Sequence, residues 1–236
     1  MLEKNRDFIG NIFASVVGKY DVMNDVMSLG FHRVWKQKLI DIMQVMPGAN
    51  CLDLSSGTGD IALLLMKKYG KILETITLVD PDANMLDLAK KKLLDSGISL
   101  KKMQFQTSTA EDLNFEGAFN VITLTFGARN FSNLKLGLEN CYKSLKPGGC
   151  LYCMEFSPQL NNHILQKVYH KYLDLAVPKI GKYVANNEAA YRYLSDSIVN
   201  FLTPDAMLTL GKNCNFSYCD VVKFAFGGVC LYVFKK

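Results

Sequence analysis

Apolar residues along this chain follow two spacings. Up to Met46 they recur at helical intervals (Phe8, Ile12, Val16, then Val34, Leu39, Ile42, Met43), which predicts a helical N-terminal segment that Pro47-Gly48 stops. Beyond it, short continuous apolar runs predict strands at Asn50 to Leu54, Thr75 to Asp80, Met103 to Thr107, Phe119 to Thr125 and, after a Lys146-Pro147-Gly148-Gly149 turn, Cys150 to Phe156. Helices are predicted between them at Asp60 to Tyr69, Asp82 to Asp95 and Ser132 to Leu145. This alternation implies a mostly parallel sheet with helices on both faces and a ligand site at the carboxyl ends of the strands. Leu160 to Asn200 reads as a helical insertion rich in Tyr and Lys, interrupted by Pro178 and Gly181, ahead of a last helix from Pro204 to Lys212. Strands Phe216 to Lys223 and Val229 to Phe234, joined by a short Phe-Ala-Phe-Gly-Gly link, predict an antiparallel hairpin at the sheet edge.

Chemistry concentrates where the first strand ends. Leu52-Asp53-Leu54-Ser55-Ser56-Gly57-Thr58-Gly59-Asp60 is a strand, a glycine turn and a helix start, and Asp80 closes the next strand. That spacing is the pattern of a nucleoside cofactor site, in which the second carboxylate accepts from ribose hydroxyls. Gly57, Gly59 and Ala62 also satisfy the spacing of dinucleotide enzymes. Asp53 and Asp60, however, flank the place where an anionic pyrophosphate would lie, and like charges there repel. S-adenosylmethionine fits better: it carries a sulfonium, an ammonium and a ribose diol, and no phosphate. An upstream carboxylate can take the ammonium, Asp80 the ribose, and small residues let the loop backbone approach. A mostly parallel sheet closed by one antiparallel hairpin is likewise the arrangement of class I methyltransferases.

Composition narrows the rest. A chain of 236 residues, nearly half apolar and without a linker, predicts one α/β domain, with residues 1–46 as a helical cap and 160–200 as a lid. A net charge of +5, scattered along the chain, falls short of the basic stripe of a nucleic-acid binder. No apolar run approaches the roughly 18 residues needed to span a bilayer, and the N-terminus lacks a signal-peptide core, so a cytosolic or peripheral protein is expected. Seven cysteines, an odd number, predict free buried thiols in a reducing compartment. Cys150 and Cys153 lie three apart in one strand and face opposite ways, so they do not form half a zinc site, and no metal is expected.

Several segments also resemble the ubiquinone/menaquinone-biosynthesis C-methyltransferase family, over nearly the whole length. They are Lys19-Tyr20-Asp21-Val22-Met23-Asn24-Asp25-Val26-Met27-Ser28 with Gly30, His32, Arg33, Trp35 and Lys36; the glycine loop; Phe126-Gly127-Ala128-Arg129-Asn130; Leu145-Lys146-Pro147-Gly148-Gly149; Glu155-Phe156-Ser157; and Tyr191-Arg192-Tyr193-Leu194 with Ser197-Ile198. The resemblance implies methylation of a prenylated benzoquinol or naphthoquinol by S-adenosylmethionine. It implies cofactor contacts at Thr58, Asp80, Thr109, Ala110 and Thr125. Two departures stand out: Thr109 replaces the usual Asn or Asp beside the adenine, and Ser55-Ser56 precedes Gly57 where the family commonly reads Ala-Gly, which Ser56 can satisfy at negative φ.

Carbon methylation of a quinol needs an ionised hydroxyl, a cation facing it and a base for the ring proton. Arg129 is the candidate cation, with a structural ion pair as its alternative role. Tyr20 and Asp21 are candidates to close over the substrate or relay the proton, with a capping turn as theirs. An isoprenoid tail further calls for an apolar, membrane-facing surface, sought in the N-terminal helices and the insertion. A homo-oligomer or a quinone-biosynthesis complex, a non-catalytic scaffold of such a complex, and an NAD-dependent oxidoreductase stay open at this point.

Overall fold

The computed structural model describes Asp25, Ser28, residues 30–185 and residues 188–236, with the side chains of 183–185 left aside. Among these residues one sheet of seven strands runs in the order β3-β2-β1-β4-β5-β7-β6. The strands are β1 (Asn50–Leu54), β2 (Thr75–Asp80), β3 (Met103–Thr107), β4 (Phe119–Thr125), β5 (Leu145–Phe156), β6 (Tyr218–Phe224) and β7 (Val229–Lys235). All neighbouring pairs from β3 across to β5 are parallel; β7 is antiparallel to both β5 and β6. The expected sheet and edge hairpin are both present.

Helices α1 (His32–Ile42), α2 (Asp60–Tyr69), α3 (Ala83–Asp95) and α4 (Leu134–Ser144) surround the parallel strands. The insertion forms α5 (His163–Lys171), α6 (Val177–Ala185) and α7 (Glu188–Val199), and α8 (Pro204–Asn213) precedes the hairpin. Side chains alternate along each strand, so Cys51, Ile76, Leu78, Val121 and Cys150 join a core with α1 to α3, whereas Leu52, Leu54, Ile122, Leu151 and Cys153 join one with α4 and α8. Cys150 and Cys153 thus lie on opposite faces.

Three expectations are corrected. Val34 and Ile42 are exposed, and α1 buries His32, Lys36, Leu39 and Ile40 instead, because the polar His32 finds a partner in Asp25 and Lys36 in Asp60 at the start of α2. The Lys146 to Gly149 turn is a bulge within β5: Phe119 pairs with Leu145 and Val121 with Cys150, so four residues loop out against one on β4, with Gly148 at φ +74°. In the insertion the break is a π-helical turn at Tyr172–Ala176, just ahead of Pro178, whose missing N–H loosens the helical ladder there. Gly181 does not break α6; a Cβ on it would lie 2.2 Å from Cγ of the buried Tyr191, so it permits α6 and α7 to approach.

Candidate functional site

Strand order reverses between β1 and β4, and a crevice opens outside their carboxyl ends, as open α/β sheets require. The cleft encloses about 350 Å³, open solvent included, and is lined by Lys36 from α1, Asp53, the loop from Ser55 to Thr58, Asp60 and Ile61 from α2, and Thr125 and Phe126. Two lining residues hold left-handed backbone without being glycine, Ser55 at φ +53° and Phe126 at φ +57°. Such strain persists only where packing fixes it, and a Cβ on Gly127 would lie 2.6 Å from the Ser55 Cβ. Ser56 keeps a negative φ, as its side chain demands. Gly57 and Gly59 adopt φ +52° and +78°, and a Cβ on Gly59 would meet Ala89 at 2.9 Å.

Asp53 is buried at the floor. Thr123 Oγ1 donates to its Oδ1 at 2.8 Å, while Oδ2 has no hydrogen-bond partner among the described residues. Burial pushes its carboxyl up to about 7, against the pull of Thr123, the Ala62 amide and Lys36. Asp80 accepts from Gly57 N at 2.8 Å and from Asp82 N at 3.0 Å, one bond to each oxygen, which leaves each a lone pair for a hydroxyl. Burial raises it to about 6 despite those two amides.

Asp60 behaves differently. Burial favours its neutral form, yet Lys36 Nζ and Lys92 Nζ, each at 2.7 Å, outweigh that and hold it well below the carboxylate range. Its charge is therefore neutralised inside the protein, and, contrary to expectation, it does not repel a pyrophosphate. Asp53 still disfavours one, because its unpartnered Oδ2 is an acceptor that an ammonium suits, while the unpartnered Thr125 hydroxyl can donate or accept.

The other expected residues are placed as follows. Thr58 is buried on the loop, with its hydroxyl accepting from Lys92 Nζ at 2.9 Å. Gly59 and Asp80 are not among the lining residues, and Asp80 holds the lining loop through the Gly57 amide. Thr109 and Ala110 follow β3 at the same end of the sheet but do not line the cleft; the Thr109 hydroxyl donates to Asp112 Oδ2 at 2.7 Å, and the Ala110 carbonyl accepts from Asn140. Tyr20 and Asp21 lie outside the described residues. Asp25, from the same motif, accepts from Arg33 at 2.8 Å and pairs with His32 Nε2 at 2.9 Å, and is thereby tied to α1.

Arg129 sits on a short 3-10 turn after Phe126 and is only 2% exposed. Its Nη1 donates to Glu155 Oε1 at 2.8 Å, its backbone amide to Glu155 Oε2 at 3.2 Å, and its guanidinium lies 5.7 Å from the Phe156 ring centroid. Nε is buried without a partner among the described residues. The ion pair weighed for this residue is present, with Glu155 near the end of β5. Phe156 also stacks on Phe126, with centroids 4.6 Å apart, and meets Trp35 edge-on. Sequence reasoning assigned no role to Lys36, Lys92, Thr123 or Glu155. Lys36 and Glu155 do stand in the quoted motifs, but nothing local pairs them with residues 24 and 26 positions away.

The chain matches the ubiE/COQ5 methyltransferase family over residues 1–236. It is 37% identical to a ubiquinone/menaquinone biosynthesis C-methyltransferase UbiE of Methylococcus capsulatus, over 89% of this chain and 84% of that one. It is also 37% identical to the protein of that name in Legionella pneumophila strain Philadelphia 1, over 97% and 90%. Among solved structures it is similar to an S-adenosylmethionine-dependent methyltransferase of Thermotoga maritima, with a TM-score of 0.66 at 17% identity over 96% and 98% of the two chains. Another, from Aquifex aeolicus, gives a TM-score of 0.59 at 15% identity over 85% and 88%. At those identities the structures speak for the fold alone.

Proposed function

The chain belongs to the ubiE/COQ5 methyltransferase family and is an S-adenosylmethionine-dependent methyltransferase, and from that premise we propose that it C-methylates a prenylated benzoquinol or naphthoquinol in ubiquinone or menaquinone biosynthesis. The observation that carries the cofactor site is the orphaned, buried Asp53 Oδ2 beside the glycine loop, an acceptor suited to the ammonium of the methionine half. Asp53, Gly57, Thr58, Gly59, Asp80 and Thr125 hold the cofactor in this reading, with Thr109 and Ala110 toward the adenine. When bound, S-adenosylmethionine supplies an electrophilic methyl group on its sulfonium.

The protein's part is to hold an electron-rich ring carbon in line with that methyl and exclude water. Phe126, stacked on Phe156 with Trp35 at its edge, supplies an aromatic wall to the cleft against which a planar ring can lie. Arg129, oriented by Glu155, offers its unpartnered Nε–H to the ionised ring hydroxyl, so that negative charge is stabilised as the ring carbon becomes nucleophilic. Tyr20 and Asp21 remain the candidates to take the ring proton.

The insertion supports a membrane-facing role. Helix α5 buries none of its residues, and it exposes Ile164 (76%) and Val168 (61%) one turn apart, with Lys167 and Lys171 exposed beside them. Phe226 (73% exposed) stands at the tip of the β6–β7 hairpin, and Asn161 N, just ahead of α5, donates to its carbonyl. Apolar side chains bordered by lysines suit an interface with anionic lipid, from which a prenyl tail would enter. Incubation with methyl-labelled S-adenosylmethionine and short-chain benzoquinol and naphthoquinol in parallel tests the reaction. Label is expected on a ring carbon of at least one; label on neither, with cofactor bound, would overturn the quinol reading.

A further inference from the structure

Lys36 is a buried cation that the reaction as described leaves without a task. Its side chain is 8% exposed, and among the described residues it is the only cationic one that lines the cleft. Its Nζ donates to Asp60 Oδ2 at 2.7 Å, but Asp60 does not depend on it, because Lys92 Nζ holds Oδ1 of the same carboxylate at 2.7 Å and is itself anchored to Thr58. Both lysines therefore donate to one carboxylate, and Lys36 stands within electrostatic reach of Asp53 as well. An ammonium carries three N–H donors, and Asp60 occupies one of those on Lys36. A buried ammonium with donors to spare is suited to a further anion.

Asp53, in the same cleft, is the complementary case: a buried carboxylate with an empty acceptor. A buried acceptor and a buried cation with spare donors around one glycine loop match a zwitterion, in which an ammonium and a carboxylate stand on one carbon. Resting on the reading of this cleft as the methyl-donor site, we propose that Lys36 binds the carboxylate of the donor's methionine half, opposite the ammonium held by Asp53. Lys36 is then a specificity residue: it selects a sulfonium that bears an intact α-amino acid. The Asp60–Lys92 pair is its support, keeping the carboxylate partner neutralised when Lys36 turns toward ligand.

Calorimetric titration of S-adenosylmethionine against its decarboxylated analogue, which keeps the nucleoside, sulfonium and ammonium, isolates the contact. One charge-assisted bond predicts that the unmodified protein prefers the intact donor by roughly 10- to 100-fold. In Lys36→Met that preference should fall to near one, through weaker binding of the intact donor with the analogue almost unaffected, and Lys36→Arg should keep most of it. Lys36→Gln serves in place of Lys36→Met if the latter does not melt cooperatively. Equal loss for both ligands in the variants, or no preference in the unmodified protein although it binds the donor, would overturn the assignment to Lys36 and leave the cofactor site standing. Failure of the unmodified protein to bind either ligand would instead overturn the cofactor site and this role together.

Discussion

At the scale of single residues, the cleft sets three carboxylates to different charge states by unequal means. Burial raises Asp53 to about 7 and Asp80 to about 6, while two lysines hold Asp60 low in spite of burial. A carboxyl raised on folding binds more protons folded than unfolded, so its contribution is favourable below its unfolded value and is lost as pH climbs to the folded one. The ligand-free protein should therefore lose stability through these two groups between about pH 4 and about pH 7, as read by urea midpoints, and Asp53→Asn should flatten most of that slope. Asp60 contributes in the opposite sense: its stabilisation is present above its unfolded value and is lost as pH falls further. An ammonium placed on Asp53 stabilises its charged form, so binding of S-adenosylmethionine near pH 6.5 should release protons. Titration in buffers of different ionisation enthalpy reads that release directly; its persistence in Asp53→Asn would assign it elsewhere. Asp53 and Asp80 were legible from their positions at two strand ends. The neutralisation of Asp60 was not, because its partners lie 24 and 32 positions away and no local pattern joins them.

At the scale of elements, tight approaches decide how accurately the site is built. Gly59 joins the cofactor loop to α2 with φ +78° and no room for a methyl against Ala89 of α3, so Gly59→Ala combines backbone strain with overpacking. It should cost about 2–4 kcal/mol, seen as a fall in melting temperature on the order of 10 °C. The turns after β1 and β4 interlock through Ser55 and Gly127, and the second of them carries Arg129 into its pair with Glu155 at the end of β5. Breaking that pair with Arg129→Met leaves a buried charge alone and should cost about 3–5 kcal/mol. Adding Glu155→Leu should restore most of the stability by removing the stranded carboxylate. If Arg129 faces the ring oxyanion, both variants should lose about 10²- to 10³-fold in turnover while cofactor affinity holds; return of turnover in the double variant would make Arg129 purely structural. The strands and their order followed from apolar runs and turn residues, and so did the glycine loop. The interior of the insertion did not, since a proline and a glycine that read as interruptions serve there as the cause of a π turn and as a close contact with Tyr191.

For the whole molecule, the sheet confines the cleft to the carboxyl ends of its parallel strands, and the helices inserted after β5 leave an apolar face uncovered. Among the described residues no helix is long and apolar enough to cross a bilayer, and the surface proposed to meet lipid is this apolar face. That surface has two parts with separate origins in the chain. One is α5, with Ile164 and Val168 outward; the other is the hairpin tip, where Ala225 and Phe226 hold successive left-handed conformations at φ +49° and +55°. Non-glycine residues in that region carry strain, and here the strain sets an aromatic ring in solvent. Insertion of such side chains into a headgroup layer contributes roughly 25 cal/mol per Å² of apolar surface covered, and the neighbouring Lys167 and Lys171 add about 1 kcal/mol each on an anionic leaflet. Co-sedimentation with vesicles containing phosphatidylglycerol should accordingly exceed that with neutral vesicles and weaken with salt. Val168→Glu and Phe226→Ser should each reduce binding several-fold, and together abolish it, with the affinity for S-adenosylmethionine unchanged because neither residue lines the cleft. Turnover of a long-chain quinol in vesicles should then fall in the double variant while a short-chain quinol in solution is methylated at the original rate. Equal loss on both substrates would mean that α5 and the hairpin tip stabilise the fold and that the prenyl tail enters by another face.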